Sequence, residues 1–392
     1  MADKPIYLDN SSTTRTDPRV VEKMLPYFTE EFGNASSITH EFGRAAGAAV
    51  DQARQDVASL LGCEPKSLVF TSGATESNNL ALLGAMRAAT NGKHLIINAA
   101  EHKAIIDPAK RLEAEGFEVT VLPVDKYGRV KAADVKTAIR EDTALVSVMH
   151  GNNEVGTINP IAEISELCRQ AEVLFHTDAT QTVGKVPINL SKLNVDLLSC
   201  SAHKMYGPKG IGALFVRRGL PRVRIEPLVE GGGHERKMRS GTLPVQQIVG
   251  LGEACRICKL EMQQEAQRIT LLREQLRHGL ANSIDGIQFN GHPSERLPGS
   301  LHVSVPGANA EAVMMQLRTR LAISSGSACT MSSPQPSHVL QAISLDSSYL
   351  SKSLRFGIGR FNTEAEILEA VKLTTASVQL SRDLSGYSSN NS

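Results

Sequence analysis

Short apolar runs alternate with helical segments through the first half of the chain, and this alternation constrains the fold more than any other feature. We assign strands to 67–71, 94–99, 117–122, 144–149, 173–177, 195–200 and 211–216. Helical segments such as 104–115 and 161–170 fill the gaps. Strands that alternate with helices form βαβ units, so the pattern predicts an α/β fold around a mostly parallel sheet.

The second half of the chain has a different pattern. A helical stretch at 245–284 precedes a strand at 300–305, a helix at 310–318 and a short strand at 322–323. We therefore expect a smaller α+β domain, joined by the N-terminal strand. Because 392 residues exceed what one core usually needs, the predicted division is a large domain at 15–260, a small domain at 261–384 with 1–14, and a disordered Ser/Asn-rich tail at 385–392.

Composition and charge narrow the classes of function. A net charge of +1 gives no basis for binding nucleic acid or a membrane surface, and no apolar run is long enough to span a bilayer. The N-terminus lacks the apolar segment of a signal peptide, and six scattered cysteines suggest a reducing compartment. We therefore expect a cytoplasmic protein. Cys255 and Cys258 form a C-x-x-C pair on a helical segment without a second ligand pair, which favours free thiols over a metal site.

Lys204 lies at the mouth of the predicted strand 195–200, just before the turn at Gly207 and Pro208. A lysine that has lost part of its water there favours the neutral, nucleophilic amine. Such an amine can form a Schiff base with a cofactor aldehyde. A lysine in a turn is more often a plain surface residue, so this assignment depends on the rest of the pattern.

Polar residues follow the ends of five predicted strands, at 72–75, 101–102, 152–153, 178 with 181, and 201–204. Open α/β sheets bind ligands beyond the carboxyl ends of their strands, so these stretches are predicted to meet in one crevice. In the first stretch, small residues open a helix directly after a strand, and we expect this helix from about residue 77. The free N–H groups of a helix start suit a phosphate, although an ordinary N-cap would explain Ser72 or Thr75 alone.

These residues suit pyridoxal phosphate. Asp178 can face a pyridine nitrogen and keep the ring protonated, although a helix N-cap is its simpler role. His102 is a candidate to stack on the ring and move a proton, or is structural. Gln181 could donate to the phenolate oxygen. The remaining candidates could hold the phosphate: Thr75, Ser201, His203 and the backbone of Gly73 and Ala74.

Two further residues are candidates for substrate chemistry. Arg355 could bind a substrate carboxylate with two parallel hydrogen bonds, unless it is a surface arginine. Cys329 lies in the Ser/Gly-rich stretch 324–336 with little apolar cover, and its placement favours a reactive thiol over an incidental one.

Ser201-Ala202-His203-Lys204, taken with the Ser324–Cys329 stretch, strongly resembles the cysteine desulfurases, and the likeness covers nearly the whole chain. The other matching motifs lie at 9–10, 71–78, 101–102, 152–156, 176–181, 239–242 and 355–356. The resemblance implies the type I fold of pyridoxal-phosphate-dependent transferases, with a seven-stranded sheet. It also implies a homodimer that converts L-cysteine to L-alanine and passes the sulfur to iron–sulfur scaffold or other acceptor proteins.

The resemblance also implies residue roles. It assigns Lys204 as the Schiff-base lysine, His102 as the stacking residue, and Asp178 and Gln181 as ring partners. It assigns Asn153 and Arg355 to the substrate carboxylate, with Asn153 also near the cofactor, and Cys329 as the persulfide carrier. Thr242, in the glycine-rich stretch 230–242 that could otherwise be a plain flexible loop, is expected to reach the phosphate of the other subunit's site.

The sequence leaves two alternative functions to a desulfurase. A related enzyme, such as an aminotransferase or a selenocysteine lyase, would share most of these residues. An aminotransferase has no use for Cys329, whereas a selenocysteine lyase stays open because selenium and sulfur occupy the same position. A non-catalytic scaffold or cofactor-binding regulator is disfavoured by the intact Lys204, Asp178 and Cys329.

Overall fold

A computed structural model of the chain describes residues 4–90, 92–219, 223–325, 337–343 and 349–387. The strands are Ile6–Tyr7 (β1), Leu68–Thr71 (β2), His94–Asn98 (β3), Glu118–Leu122 (β4), Thr143–Ser147 (β5), Leu174–Asp178 (β6), Leu197–Ser201 (β7), Gly212–Val216 (β8), Gln288–Asn290 (β9), Ser300–Ser304 (β10), Leu321–Ala322 (β11) and Ser353–Gly357 (β12). The helices are Pro18–Met24 (α1), Pro26–Thr29 (α2), Glu41–Leu61 (α3), Ala74–Ala88 (α4), Lys103–Ala114 (α5), Ala132–Ala138 (α6), Ile161–Gln170 (α7), Val245–Ser283 (α8), Ala310–Leu317 (α9), His338–Ala342 (α10) and Glu364–Ser385 (α11).

The central sheet has seven strands in the order β2-β8-β7-β6-β5-β3-β4. Strands β4, β3, β5, β6 and β7 pair in parallel, and β8 runs antiparallel to both β2 and β7. The inner strands are apolar runs buried along nearly their whole length, as expected for a sheet covered on both faces. The predicted α/β fold around a mostly parallel sheet is therefore confirmed.

A second core lies outside this sheet. Strands β12, β10 and β9 form an antiparallel sheet, and β1 pairs in parallel with β11. Its buried apolar residues come from the segment 269–378 and from Leu8. Helix α8 joins the two parts, since Cys255 and Cys258 are buried in the large core and Leu276 and Leu280 in the second one. This packing supports the two-domain division that we propose from the sequence.

Two local predictions need correction. The helix expected from about residue 77 begins at Ala74, because Gly73 turns the chain directly into α4. Residue 385 does not begin a disordered tail as predicted, since Ser385 is the last residue of α11 and its hydroxyl donates to the Gly307 carbonyl, while residues 388–392 lie outside the described residues. Gly386 ends α11 in the left-handed conformation, a stop signal that composition alone does not reveal.

The stretch 230–242 is held by a buried ion pair rather than being a plain loop. Both guanidinium Nη atoms of Arg54 donate to the Glu235 carboxylate, at 2.6 and 2.9 Å, and the Phe70 N–H donates to the same carboxylate at 2.8 Å. Glu235, Arg236 and Lys237 have φ values of 47°, 58° and 68°, a conformation that is uncommon for residues other than glycine. The ion pair holds this strained turn against β2.

Glu235→Ala is expected to lower the free energy of unfolding by about 3–5 kcal/mol, because it leaves the Arg54 charge buried without its carboxylate. Chemical unfolding followed by circular dichroism measures the change. The control is Glu41→Ala, which removes an exposed partner of Arg44 and should change the free energy by no more than about 0.5 kcal/mol. Equal effects of the two substitutions would contradict the assigned role of Glu235.

Candidate active site

A cavity of about 490 Å³ lies beyond the carboxyl ends of the central strands, a volume typical of small-molecule sites. The described residues to which the sequence analysis gave a role at the site line it, with one exception, whereas Glu101 and Asn152 of the predicted crevice are fully buried and do not line it. These lining residues are Ala74, Thr75, His102, Asn153, Asp178, Gln181, Ser201, His203, Lys204 and Arg355. The exception is Thr242, which is exposed and does not line this cavity. Cys329 lies outside the described residues.

One end of the cavity is formed by the start of α4. Gly73 has a φ of 152°, which favours glycine, and a Cβ added to Gly212 would lie 2.8 Å from its Cα. The backbone segments at Gly73 and Gly212 are therefore in close contact. Ser201 and His203 line the cavity beside the first N–H groups of the helix. Backbone N–H groups and hydroxyls around a helix start are the donor set that a phosphate needs.

The side chain of Glu76 is held at the same end. It accepts a hydrogen bond from the Ser72 N–H at 2.6 Å and pairs with Arg239 at 2.9 Å. Burial alone would raise the pKa of the Glu76 carboxyl, but the hydrogen bonds from Arg239 and Ser72 outweigh it and lower the pKa. The ion pair thereby balances the charge of a carboxylate near the phosphate-binding end.

The Asp178 carboxylate lies at the end of β6 and is 5% exposed. One oxygen accepts from the Asn78 side-chain amide at 2.7 Å, and the other accepts from the Thr180 N–H at 2.9 Å. Each oxygen has a second lone pair available, so the group can also accept from a protonated ring nitrogen. Sequence reasoning gave Asn78 no role, although it follows Ala74 by one helical turn and so lies on the same side of α4.

Lys204 ends a single 3₁₀ turn that follows β7, and its side chain is half-buried at the cavity. Its Nζ donates to the Ser11 carbonyl oxygen at 2.7 Å and to the Ser12 carbonyl oxygen. The lysine predicted from one strand mouth is therefore positioned by the distant N-terminal segment. No sequence signal identifies these acceptors, because they are backbone atoms.

Both histidines of the cavity are electrically neutral near pH 7. Burial lowers the pKa of His102, whose Nδ1 accepts from the Ala104 N–H at 3.0 Å and caps α5. Its proton therefore lies on Nε2. Burial, then the charges of Lys204 and Lys209, lowers the pKa of His203 to about 4. Neither ring can be counted as a cation in the binding of a phosphate.

Arg355, on β12, is 2% exposed and already forms several hydrogen bonds. Its Nη1 donates to the Asn153 carbonyl oxygen at 3.0 Å, while Nη2 donates to Ser12 Oγ at 2.7 Å and to Asp9 Oδ1 at 3.1 Å. Asn153 thus acts on Arg355 through its backbone, and Asp9 is a partner that the sequence did not indicate. The Nε–H has no partner among the described residues.

The chain on both sides of 326–336 is held at this site. Before it, the Ser324 hydroxyl donates to Asp9 at 2.9 Å. After it, the Ser337 hydroxyl donates to the Glu154 carboxylate at 2.5 Å, and His338 Nε2 donates to the Glu101 carbonyl oxygen at 2.8 Å. The segment that contains Cys329 therefore leaves and rejoins the described structure next to the cavity.

Known proteins resemble the chain along almost its full length. A family model described as Aminotransferase class-V matches residues 6–369. A protein named cysteine desulfurase IscS from Anaeromyxobacter dehalogenans (strain 2CP-C) is 52% identical over 382 residues, 97% of this chain and 94% of the relative. The protein of the same name from Histophilus somni (strain 2336) is 53% identical over 384 residues, with the same two shares. A solved structure described as a NifS-like protein has a TM-score of 0.89 at 36% identity, covering 96% of this chain and 100% of that one.

We expect His102 and His203 to be neutral at pH 7 in the folded protein, with His102 in the Nε2–H tautomer. Ring ¹⁵N shifts of histidine-labelled protein measure both properties, and His102→Gln and His203→Gln assign the signals. The His203 pKa of about 4 lies below the ordinary value near 6.5, so this ring should stay neutral as the pH falls to about 5. A His203 signal that is half-protonated near pH 6.5 would contradict this account.

Proposed function

The chain belongs to the class-V aminotransferase family, and from that premise we propose that it is a pyridoxal-phosphate-dependent cysteine desulfurase. It converts L-cysteine to L-alanine and carries the sulfur away as a persulfide on Cys329. The fold is that of the type I pyridoxal-phosphate-dependent transferases. The observation that carries the proposal is the single cavity that gathers Lys204, Asp178, His102 and Arg355, together with relatives named for this activity.

The cavity fits the cofactor at both ends. The start of α4 with Thr75, Ser201 and His203 offers donors for the phosphate, and Asp178 offers a buried acceptor for the ring nitrogen. Gln181 lies at the same wall. When bound, pyridoxal phosphate supplies an electrophilic aldehyde and a protonated ring that withdraws electrons from the substrate α-carbon.

The other side chains that line the cavity have separate roles in the proposed reaction. Lys204 would hold the cofactor covalently and would take the proton from the substrate α-carbon. His102 would lie against the cofactor ring, and its Nε2–H would be available to move a proton. Arg355 and Asn153 bind the substrate carboxylate, which requires the guanidinium to exchange one of its present partners, such as Ser12. These roles make the cavity specific for an α-amino acid.

Cys329 supplies the step that separates a desulfurase from an aminotransferase. Its thiolate forms a bond with the substrate sulfur, the substrate C–S bond breaks, and the carbon skeleton leaves as alanine after protonation. Ser324 contacts Asp9, the partner of the cavity residue Arg355, and precedes Cys329 by five residues. Five residues span at most about 18 Å. This tether supports a thiol that reaches substrate and then an acceptor protein.

The proposal extends to partners and compartment. We propose a homodimer in which Thr242 serves the phosphate of the other subunit. Two observations support a surface that a second subunit covers. Thr242 is exposed, and so are several large apolar side chains, those of Leu25, Phe28, Phe32, Ile38 and Phe42. In the described part of the chain, no helix has the length and apolar character to cross a membrane. We propose a cytoplasmic enzyme whose acceptors include iron–sulfur scaffold proteins.

Cys329→Ser is expected to abolish alanine production, because a serine hydroxyl is a poor nucleophile toward sulfur and cannot store a persulfide. The visible absorbance of the bound cofactor should still shift when cysteine is added, because the steps before sulfur transfer do not need Cys329. Alanine is measured with excess reductant present. The matched control is Cys63→Ser, which changes a half-buried thiol outside the cavity and should retain turnover.

Alanine formation at the wild-type rate by Cys329→Ser would rule out the persulfide mechanism. Turnover of selenocysteine but not cysteine by the unaltered enzyme would instead favour a selenocysteine lyase.

Mixed dimers test the proposed role of Thr242 across subunits. Lys204→Ala and Thr242→Ala homodimers should each be impaired. If Thr242 serves the other subunit, the mixed dimer of these two chains contains one site with both residues intact, and should regain about half of the wild-type activity per dimer. Activity no higher than the mean of the two parent homodimers would place Thr242 in its own subunit's site.

A further inference from the structure

Lys185 is a half-buried lysine beside the active site that the proposed mechanism does not use. It follows β6 by seven residues and lies behind Gln181, whose amide oxygen accepts from its Nζ at 3.2 Å. Lys185 has no carboxylate within 4.0 Å in the part of the chain that the structure describes. A lysine without an ion pair directly behind the wall of a catalytic cavity requires an explanation.

The hydrogen bonds of Gln181 give that explanation. Its amide nitrogen donates to the Ser11 carbonyl oxygen at 2.9 Å, the same oxygen that accepts from Lys204 at 2.7 Å. A carbonyl can only accept, so it requires the NH₂ side of the amide, whereas an ammonium can only donate and requires the oxygen side. Ser11 and Lys185 therefore select the same orientation, and the second amide hydrogen of Gln181 has no acceptor among the described residues.

The charge around Lys185 agrees with a site that is coupled to the cavity. Burial and then the charge of Lys204 lower the pKa of Lys185 to about 7, against the opposite influence of Cys258 and Glu265 on α8. A second, smaller cavity of about 30 Å³ lies next to Lys185 and is also lined by Gln181, Tyr206 and Glu265. Its volume suits a water molecule that could bind the other Lys185 hydrogens.

We propose that Lys185 is a positioning residue, which holds the Gln181 amide with its NH₂ directed into the cavity so that this amide donates to the bound cofactor. The inference rests on the proposed function for the identity of the cofactor. Without Lys185, the amide oxygen loses its donor, and only the Ser11 carbonyl orients the group. The amide is then free to rotate away from the ring.

The test measures pyridoxal phosphate binding to the apoprotein, with Lys185→Met and Gln181→Met combined in a double-mutant cycle. We expect Lys185→Met to raise the cofactor dissociation constant about five-fold or more in the wild-type background, and by less than about two-fold when Gln181 is already Met. Lys185→Arg keeps a donor, and the adjacent cavity of about 30 Å³ leaves room for it, so its dissociation constant should stay within about two-fold of the wild type.

Equal effects of Lys185→Met in both backgrounds would show a general structural role and overturn the proposal, as would no effect in the wild-type background. Circular dichroism of each apoprotein checks the fold. If Lys185→Met does not fold, the test is the cofactor dissociation constant of Lys185→Arg, which must stay within about two-fold of the wild type. The binding cycle does not depend on turnover. A protein that binds the cofactor with this coupling but yields no alanine would refute the desulfurase proposal alone.

Discussion

The position of the Lys204 amine depends on two backbone carbonyl oxygens, those of Ser11 and Ser12. These carbonyls follow β1, which pairs with β11 rather than with the seven-stranded sheet that carries Lys204. The amine is therefore positioned where the two parts of the molecule meet. The N-terminal segment that provides these carbonyls is itself fixed by Leu8, which is buried in the second core.

The same few residues organise the rest of the site. The Ser11 carbonyl also accepts from Gln181, and Arg355 donates to the Asn153 carbonyl as well as to the side chains of Ser12 and Asp9. Backbone carbonyls do not titrate and have no rotatable side chain, so they provide acceptors whose geometry is set by the fold alone. A site that must hold a lysine, an amide and an arginine in fixed directions gains preorganisation from such acceptors.

The sequence predicted the location of the site better than the hydrogen bonds that position its side chains. Strand ends were enough to bring Asp178, Ser201 and Lys204 together, because the carboxyl ends of parallel strands meet at one edge of a sheet. Contacts made by backbone atoms have no residue signature, which is why the role of Ser11 was missed. Asp9 was missed because its partner Arg355 is 346 residues away. The beginning of α4 at Ala74 depended on the geometry of Gly73, which a helical pattern does not resolve.

Neutral histidines and a backbone dipole set the electrostatics of the phosphate end. Burial and the neighbouring lysines lower the pKa of His203, so the ring binds as a neutral partner. The start of α4 contributes partial positive charge from N–H groups that have no pKa. Because this contribution cannot titrate, attraction for a phosphate does not rely on protonating a histidine near neutral pH. The cations that lower the His203 pKa include Lys204 and Lys185, and Lys204 in turn lowers the pKa of Lys185. The crowding of amines that suits an anionic cofactor thus also keeps the rings beside it uncharged.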